Sequence, residues 1–323
     1  MRLRIIIFFF SILIFSIKAQ QPYFSSLNQN LLSVNPAFAG TNDKLRVQAI
    51  TGRTGWPKYG VDNRSYYAGA DFLAGKYSGL GLSFSSSLYN NSSSFKSTGS
   101  VLKEMQVDFS YALHLKINDK IKIVPAFQVS YFQITLNSAL VTFDPNEFAR
   151  SPFAYSTNEN LGILTKRNID FSSGLLVYGK RFYVGATILS FTQPDEGVLG
   201  VSKRPFTQIY QGKYRFGNLE KLNIDAYGFV KLQKVYGSFV QYGTYLNYKM
   251  LSLHLAHRIN DNLVYNSFVA GVALNLKGMK IGYNNRFNYM DNLSNRYFNE
   301  FYLAYGFGKK NVEGEPTSIK LIN

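Results

Sequence analysis

Cysteine is missing from the chain altogether, tryptophan occurs once and histidine three times. Without a thiol there is no disulfide scaffold, no thiolate metal site, no cysteine nucleophile and no lipid-modified N-terminal cysteine. Acidic residues are scarce: 19 Asp plus Glu stand against 35 Lys plus Arg, a formal net charge of +16, and only 17% of the 323 residues are charged. Long apolar runs are lacking too. The run Ile5–Ile17, broken only by Ser11 and Ser16, is shorter than the ~20 residues a spanning helix needs. What the chain has instead is 27 Phe, 24 Tyr and 26 Gly, with 46% hydrophobic residues. Such a chain can bury enough apolar area to offset its conformational entropy, which excludes disorder.

The start of the chain has the layout of a secretory signal peptide. Met1-Arg2-Leu3-Arg4 is basic, the apolar run follows, and Lys18-Ala19 leads into the polar Gln20-Gln21-Pro22. Ala19 is the expected last residue before cleavage. An exported chain without a spanning helix can sit in a membrane only as a closed β-barrel, because every backbone polar group must be paired there.

The rest of the chain alternates with period two, the signature of strands with one apolar and one polar face. Val107, Phe109, Tyr111, Leu113, Leu115 and Ile117 alternate with Gln106, Asp108, Ser110, Ala112, His114 and Lys116. The same rhythm runs through 181–188, 222–233 and 267–277. Strand centres are expected near 48, 68, 82, 108, 127, 173, 185, 210, 227, 244, 254, 270, 282 and 302. These make about fourteen antiparallel strands, an even number, as in bacterial outer-membrane barrels. The polar faces are small and the apolar faces aromatic, which suits a barrel with a hydrophobic outside, a polar inside and aromatic belts at both interfaces. Pro125 lies within an otherwise good strand and can donate no ladder hydrogen bond, so it calls for a bulge or a membrane-edge position. The expected organisation is a signal peptide (1–19), an N-terminal periplasmic or lumenal segment (20–43), the outer-membrane barrel (44–308) and a polar C-terminal tail (309–323).

Candidate chemistry is thin. His114, in line with Asp108 and Lys116, reads as a structural histidine in a lumenal polar network. His254 and His257 are three apart, which on a strand puts them on opposite faces and argues against joint metal ligation. No segment singles out a Ser–His hydrolase arrangement. No enzymatic activity, metal or cofactor is expected. Lys and Arg are dispersed and no nucleic-acid motif occurs. Arg46, Arg53, Arg64, Lys166, Arg167, Lys180, Arg181, Lys203 and Arg204 read as solvated strand ends. Glycines 69, 79, 81, 174, 185 and 271 read as sites of curvature or crowding.

Four segments resemble the PorP/SprF family of type IX secretion system membrane proteins. Asn30–Gly40 is similar to the family's N-terminal NPxxxNPAxAG stretch, with the first Pro absent. Arg53-Thr54-Gly55-Trp56-Pro57 resembles its Arg-x-x-Trp-Pro segment. Asp144-Pro145 lies in a long central connection. Ile169–Gly174 with Tyr178, Phe182–Gly185 and Thr192-Gln193-Pro194 resembles the block DFSxG…Y…FYxG…LTQP, with Ser190 where the family commonly has His. The motif residues Asn35, Pro36, Gly40, Arg53, Trp56, Asp170, Gly174, Gln193 and Pro194 are expected to be structural. The resemblance implies a FadL-like outer-membrane barrel of Bacteroidota-type bacteria that serves type IX secretion and the gliding motility linked to it. Implied partners are outer-membrane lipid, a cargo protein with a C-terminal sorting domain, and other type IX components. A passive or FadL-like uptake pore is the alternative.

Two readings stay open for the segment before the first strand. Asn35-Pro36-Ala37 is a turn by its chemistry, or residues 21–40 plug the barrel or touch a partner. The connections 137–165 and 193–204 follow the fifth and seventh strands and so share one face, expected to be the outer one. Phe143, Phe148, Phe153 and Tyr155 are the candidate partner-binding residues, either gripping a cargo domain or capping the protein's own lumen.

Overall fold

The computed structural model describes residues 24–42, 45–56, 61–91, 101–137, 162–217, 222–234, 237–261, 266–289 and 297–307. The expected signal peptide, the C-terminal tail and the aromatics Phe143, Phe148, Phe153 and Tyr155 fall outside them.

Strand formation follows the alternation. The strands are β1 (Arg46–Trp56), β2 (Val61–Ala74), β3 (Ser78–Asn91), β4 (Leu102–Leu113), β5 (Leu115–Lys116), β6 (Ile121–Asn137), β7 (Ile163–Gly179) and β8 (Phe182–Leu189). They continue as β9 (Thr207–Gly217), β10 (Leu222–Gln233), β11 (Phe239–Tyr248), β12 (Leu251–Asn260), β13 (Ser267–Leu276), β14 (Met279–Asn288) and β15 (Tyr297–Gly306). Apart from β4 and β5, which both face β6, each pairs antiparallel with its chain neighbours, and β15 pairs with β1 from Arg46↔Gly306 to Gly55↔Tyr297. That last pairing closes the sheet. Since β4 and β5 both pair with β6, they are one barrel strand, and the barrel has fourteen. Every expected strand centre lies inside one of them.

Pro125 accounts for the split between β4 and β5. β6 runs through it unbroken, and Ala112↔Ala126 and Leu115↔Ile123 face each other with no residue gained or lost on either side. Of the two accommodations expected for Pro125, a bulge or a membrane-edge position, the bulge is absent. The missing N–H simply removes one rung toward the neighbouring strand, leaving the register intact.

The wall is apolar outside. Phe109 is 51% exposed while Asp108 and Ser110 are buried, and the same inversion holds along β8, where Val184 and Ile188 face out and Tyr183 and Thr187 face in. Exposed tyrosines gather toward both ends: Tyr111, Tyr214, Tyr248 and Tyr305 at one, Tyr131, Tyr210, Tyr242 and Tyr289 at the other. These are the positions of interfacial belts. On β6 the outward residues are apolar from Ile121 to Tyr131 and then turn to Gln133, Thr135 and Asn137. The apolar span matches the ~9–11 residues a tilted strand needs to cross a bilayer. Tight connections such as Gly75–Tyr77, Lys180–Arg181, Lys249–Met250 and Lys277–Gly278 lie at one end, with both chain termini of the barrel; the long connections lie at the other.

The inside departs from expectation. Tyr67, Phe132, Tyr178, Tyr183, Tyr227, Phe229, Tyr245 and Tyr302 all point inward and are buried. The lumen is a packed core, and the reason is that it holds a piece of the chain.

Candidate functional site

Residues 24–42 lie within the barrel. They form a 3-10 turn (Leu27–Gln29), a single α-turn (Leu31–Val34) and a second 3-10 turn (Pro36–Phe38). From Leu31 to Thr41 only Ser33 is more than marginally accessible. Leu31, Leu32, Ala37, Phe38 and Ala39 pack with Val124, Leu176, Tyr178 and Tyr183. Leu27 and Val34 join Ile209, Tyr227, Phe229 and Tyr245, and Phe24 joins Ile50, Tyr67 and Tyr302. Inward aromatics therefore face apolar plug residues, where burial contributes about 25 cal/mol per Å² of apolar surface.

The motif residues explain how the plug is held. Asn35 is extended (φ −155°, ψ 118°), as the following proline requires. Its Oδ1 accepts from the Ala37 N–H at 2.9 Å and its Nδ2 donates to the carbonyls of Leu175 (3.2 Å) and Ala186 (3.4 Å). Pro36 occupies the first position of the short helix, where its missing donor costs nothing. Asn35 reaches the wall because Gly174 and Gly185 lack side chains: a Cβ on Gly174 would lie 2.1 Å from Oδ1, and one on Gly185 2.9 Å from Nδ2. The two motifs, more than a hundred residues apart in the chain, are one contact.

The other end of the motif is fastened to β1, β2 and His114 at the junction of β4 and β5. Phe38 meets Tyr183 edge-on at 5.1 Å. Arg46 and Asp71 form a buried ion pair at 2.8 Å; Arg46 also donates to the Phe38 carbonyl at 3.0 Å, and Asp71 accepts the Gly40 N–H at 2.9 Å. Gly40 has φ +74°, a conformation suited to glycine. The Ala39 carbonyl can only accept, so His114 donates to it from Nε2 (2.7 Å), which leaves Nδ1 to accept from the Tyr178 hydroxyl at 3.1 Å. Burial of Arg46 corrects its reading as a solvated strand end; a cation in that position can be buried because Asp71 balances its charge and accepts two of its hydrogen bonds and the Phe38 carbonyl accepts a third.

Nearer the long-connection end, Glu300 accepts from the Ser25 and Ser26 N–H groups and the Ser26 hydroxyl. Gln241 and Arg258 donate to the Ser25 and Phe24 carbonyls. His254 lies between the Tyr227 hydroxyl and Asn284, inside the barrel. His257 is on the outer face between Tyr242 and Tyr289. The two histidines are separated by the wall.

The connection 190–206 covers the lumen. Ser190 (φ 58°) and Gln193 (φ 47°) turn it inward. Thr192 donates to Asp170 at 2.7 Å, Lys166 pairs with Asp195 at 2.7 Å, and the backbones of residues 195 and 203 form an isolated antiparallel β-bridge. The Lys166 ammonium, with the Ser202 and Gly197 N–H groups, holds Asp195 down to about 2. Arg204 is buried, not solvated as expected. It lies 4.3 Å over the Phe132 ring, 3.6 Å from Glu196 and 3.8 Å from Asp170, and donates to Gln106. The Pro194 carbonyl accepts from the Arg204 N–H, while the Gln193 side chain is exposed. Leu199 and Val201 form an exposed apolar tip, 62% and 84% accessible. Beneath the cap remain cavities of about 40 Å³ and 20 Å³, enough for one to a few waters.

Arg53 and Trp56 belong to neither plug nor cap. Arg53 is at the rim, bidentate to Asp62 at 2.7 and 3.2 Å, and Trp56 ends β1 opposite Val61. The wall residues Asp71, Glu300, Gln241 and Arg258 escaped the sequence reading, and Arg46 was read as solvated. Their only signal was inward phase on amphipathic strands, which names no partner.

These features define a fourteen-stranded membrane β-barrel plugged by its own N-terminal segment. The profile of the type IX secretion system membrane protein PorP/SprF family matches residues 16–305, and the chain belongs to that family. Among solved structures the chain is similar to the Ralstonia pickettii toluene transporter TbuX (11% identity, 85% of this chain and 92% of that one, TM-score 0.51). It is also similar to a ΔS2S3 mutant of the monoaromatic hydrocarbon channel TodX (12% identity, 85% and 93%, TM-score 0.50). These likenesses concern the fold. No curated protein matches the chain.

Proposed function

We propose that the protein is a non-enzymatic, outer-membrane accessory of type IX secretion and linked gliding, exported by its N-terminal signal peptide, which helps a cargo protein with a C-terminal sorting domain cross the membrane or stay at the surface. Membership of the family supports the secretion role, and the apolar outer band supports residence in lipid. The observation that carries the accessory reading over a passive uptake pore is the plug. Its segment 24–41 is fastened to wall residues on several sides of the barrel: Arg46 and Asp71 on β1 and β2, the Leu175 and Ala186 carbonyls on β7 and β8, and Gln241, Arg258 and Glu300 on β11, β12 and β15; a conducting lumen would need those contacts released.

A docking barrel needs a surface outside the lipid, and the long-connection end supplies one in the cap with its Leu199–Val201 tip. Two measurements test the reading together. In planar bilayers the intact barrel should stay closed, and deletion of 24–41 should open it. In cells lacking the gene, sorting-domain cargo should fail to accumulate at the surface. Steady conductance by the intact barrel, with normal cargo display in the deletion strain, would favour the pore.

A further inference from the structure

The wall of this barrel is not equally tall all round. β7 pairs with β6 along its whole length, from Asn137↔Ile163 to Ile121↔Gly179. On its other side it pairs with β8 only from Ser173 to Tyr178. Among the described residues its upper half therefore has a paired strand on one side only. The connection after β8 could have continued the ladder, but after one bond, Phe191 N–H to the Phe171 carbonyl at 3.2 Å, it leaves the edge. Its further contacts with β7 go to the inward side chains of Asp170 and Lys166 and to Asn168, so it lies over the lumen and not along the strand.

The bond at Phe171 fixes which groups are left. Backbone polar groups of alternate residues on an antiparallel strand point to the same side. The N–H and C=O of Ile163, Thr165, Arg167 and Ile169 therefore point away from β6. Among the described residues no strand pairs with β7 on that side before Ser173, and no other backbone bond reaches these groups of Thr165, Arg167 and Ile169. Lipid cannot be the neighbour along most of this stretch, since unpaired backbone groups are costly in hydrocarbon. The outward residues of β6 turn polar after Tyr131, whose partner is Ile169, so Ile163–Arg167 stands above the aromatic belt, in water.

We propose that this upper edge of β7, Ile163–Ile169, is a strand-addition site for an extended segment of a protein partner. Main-chain bonds to the four edge residues supply the affinity, and alternate side chains supply the selectivity. The outward face of the edge reads Ile163, Thr165, Arg167, Ile169, with Ile163 and Ile169 68% and 58% exposed and Arg167 exposed between them. A complementary strand carries apolar residues opposite the isoleucines and a carboxylate opposite Arg167. The site rests on the docking reading above and narrows it to one strand.

Proline at an edge position removes only an outward donor, because the N–H groups of Thr165 and Arg167 do not serve the β6 ladder. The full-length double variant Thr165→Pro/Arg167→Pro should keep the heat-modifiable migration of a folded barrel. It should lose at least tenfold of the protein that co-purifies with the wild type from detergent extracts of the native cells. Arg167→Glu should lose several-fold by charge alone. A photocrosslinking residue at position 165 should join the chain to that same protein. Undiminished co-purification with either folded variant, or crosslinks only to lipid or to this chain, overturns the inference; should the double proline variant not fold, Arg167→Glu and the crosslink decide it. If a gene deletion blocks cargo display but the edge variants do not, the edge alone is wrong. If the deletion leaves display normal, the secretion role is wrong.

Discussion

Asn35 and Gly174 occupy one space: the Oδ1 of the first lies 2.1 Å from where a Cβ on the second would fall. That single overlap ties the turn before the first strand to the middle of β7. It gives both residues a reason to be what they are, since a shorter side chain at 35 would not reach the Leu175 and Ala186 carbonyls and any side chain at 174 would push it out.

Substitution at this contact should loosen the plug before it damages the wall. Asn35→Ala leaves the buried Ala37 N–H without its acceptor, a loss of about 1–3 kcal/mol. Gly174→Val should cost at least as much through the clash. Both should lower the temperature at which the folded barrel converts to the slower-migrating unfolded band, and both should make a site in 24–41 more open to protease. Unchanged melting and protection in both variants would show that Asn35 does not anchor the plug.

The Arg46–Asp71 pair gives a sharper test, because it is buried in the protein and bonds the plug from both partners. Arg46→Met alone strands a buried carboxylate and should destabilise by about 3–5 kcal/mol. Combining it with Asp71→Leu should recover a large part of that loss, though not the bonds to Phe38 and Gly40. Thermal denaturation of the two singles and the double gives the coupling.

His114 is held in one tautomer by a carbonyl on one side and a tyrosine hydroxyl on the other. His114→Phe keeps the volume but removes the donor to the Ala39 carbonyl and the acceptor of the Tyr178 hydroxyl. It should cost about 1–3 kcal/mol, and Tyr178→Phe in the same background should add little further. Strict additivity of the two losses in a double-mutant cycle would contradict the bridging role.

The cap should respond to acid through Asp195. Its carboxyl is held down to about 2 in the folded chain, below the ordinary aspartate value near 4. A lowered folded value means that its contribution is complete above pH ~4 and is lost as the pH falls through about 2. A fluorophore placed at Leu199 should therefore report a cap transition between these limits. Asp195→Asn should abolish it and leave the cap loose at neutral pH.

Much of this protein was legible in its sequence because strand alternation is local. The phase of Val107–Lys116 assigns each side chain to one face whatever the strand pairs with, and fourteen such segments with tight turns between alternate pairs determine a closed barrel. Backbone pairing in a membrane leaves few other solutions. The turn chemistry of Asn35-Pro36 was equally local, and the short helix it starts is there. The inward faces could not be read in the same way. A Tyr183 or a Phe229 on the face opposite lipid looks the same in sequence whether it meets water or Phe38 and Val34, and an Arg46 at a strand start looks solvated until Asp71 is seen across the pair. Only tertiary structure brought residue 35 against 174 and 185, 39 against 114, and 26 against 300, because contacts over such separations depend on where the closed wall places each strand. The edge of β7 beyond its pairing with β8 belongs to the same class. β8 stops at Leu189, and the positive φ values of Ser190 and Gln193 carry the chain inward over the lumen, a direction that alternation of apolar and polar residues does not encode.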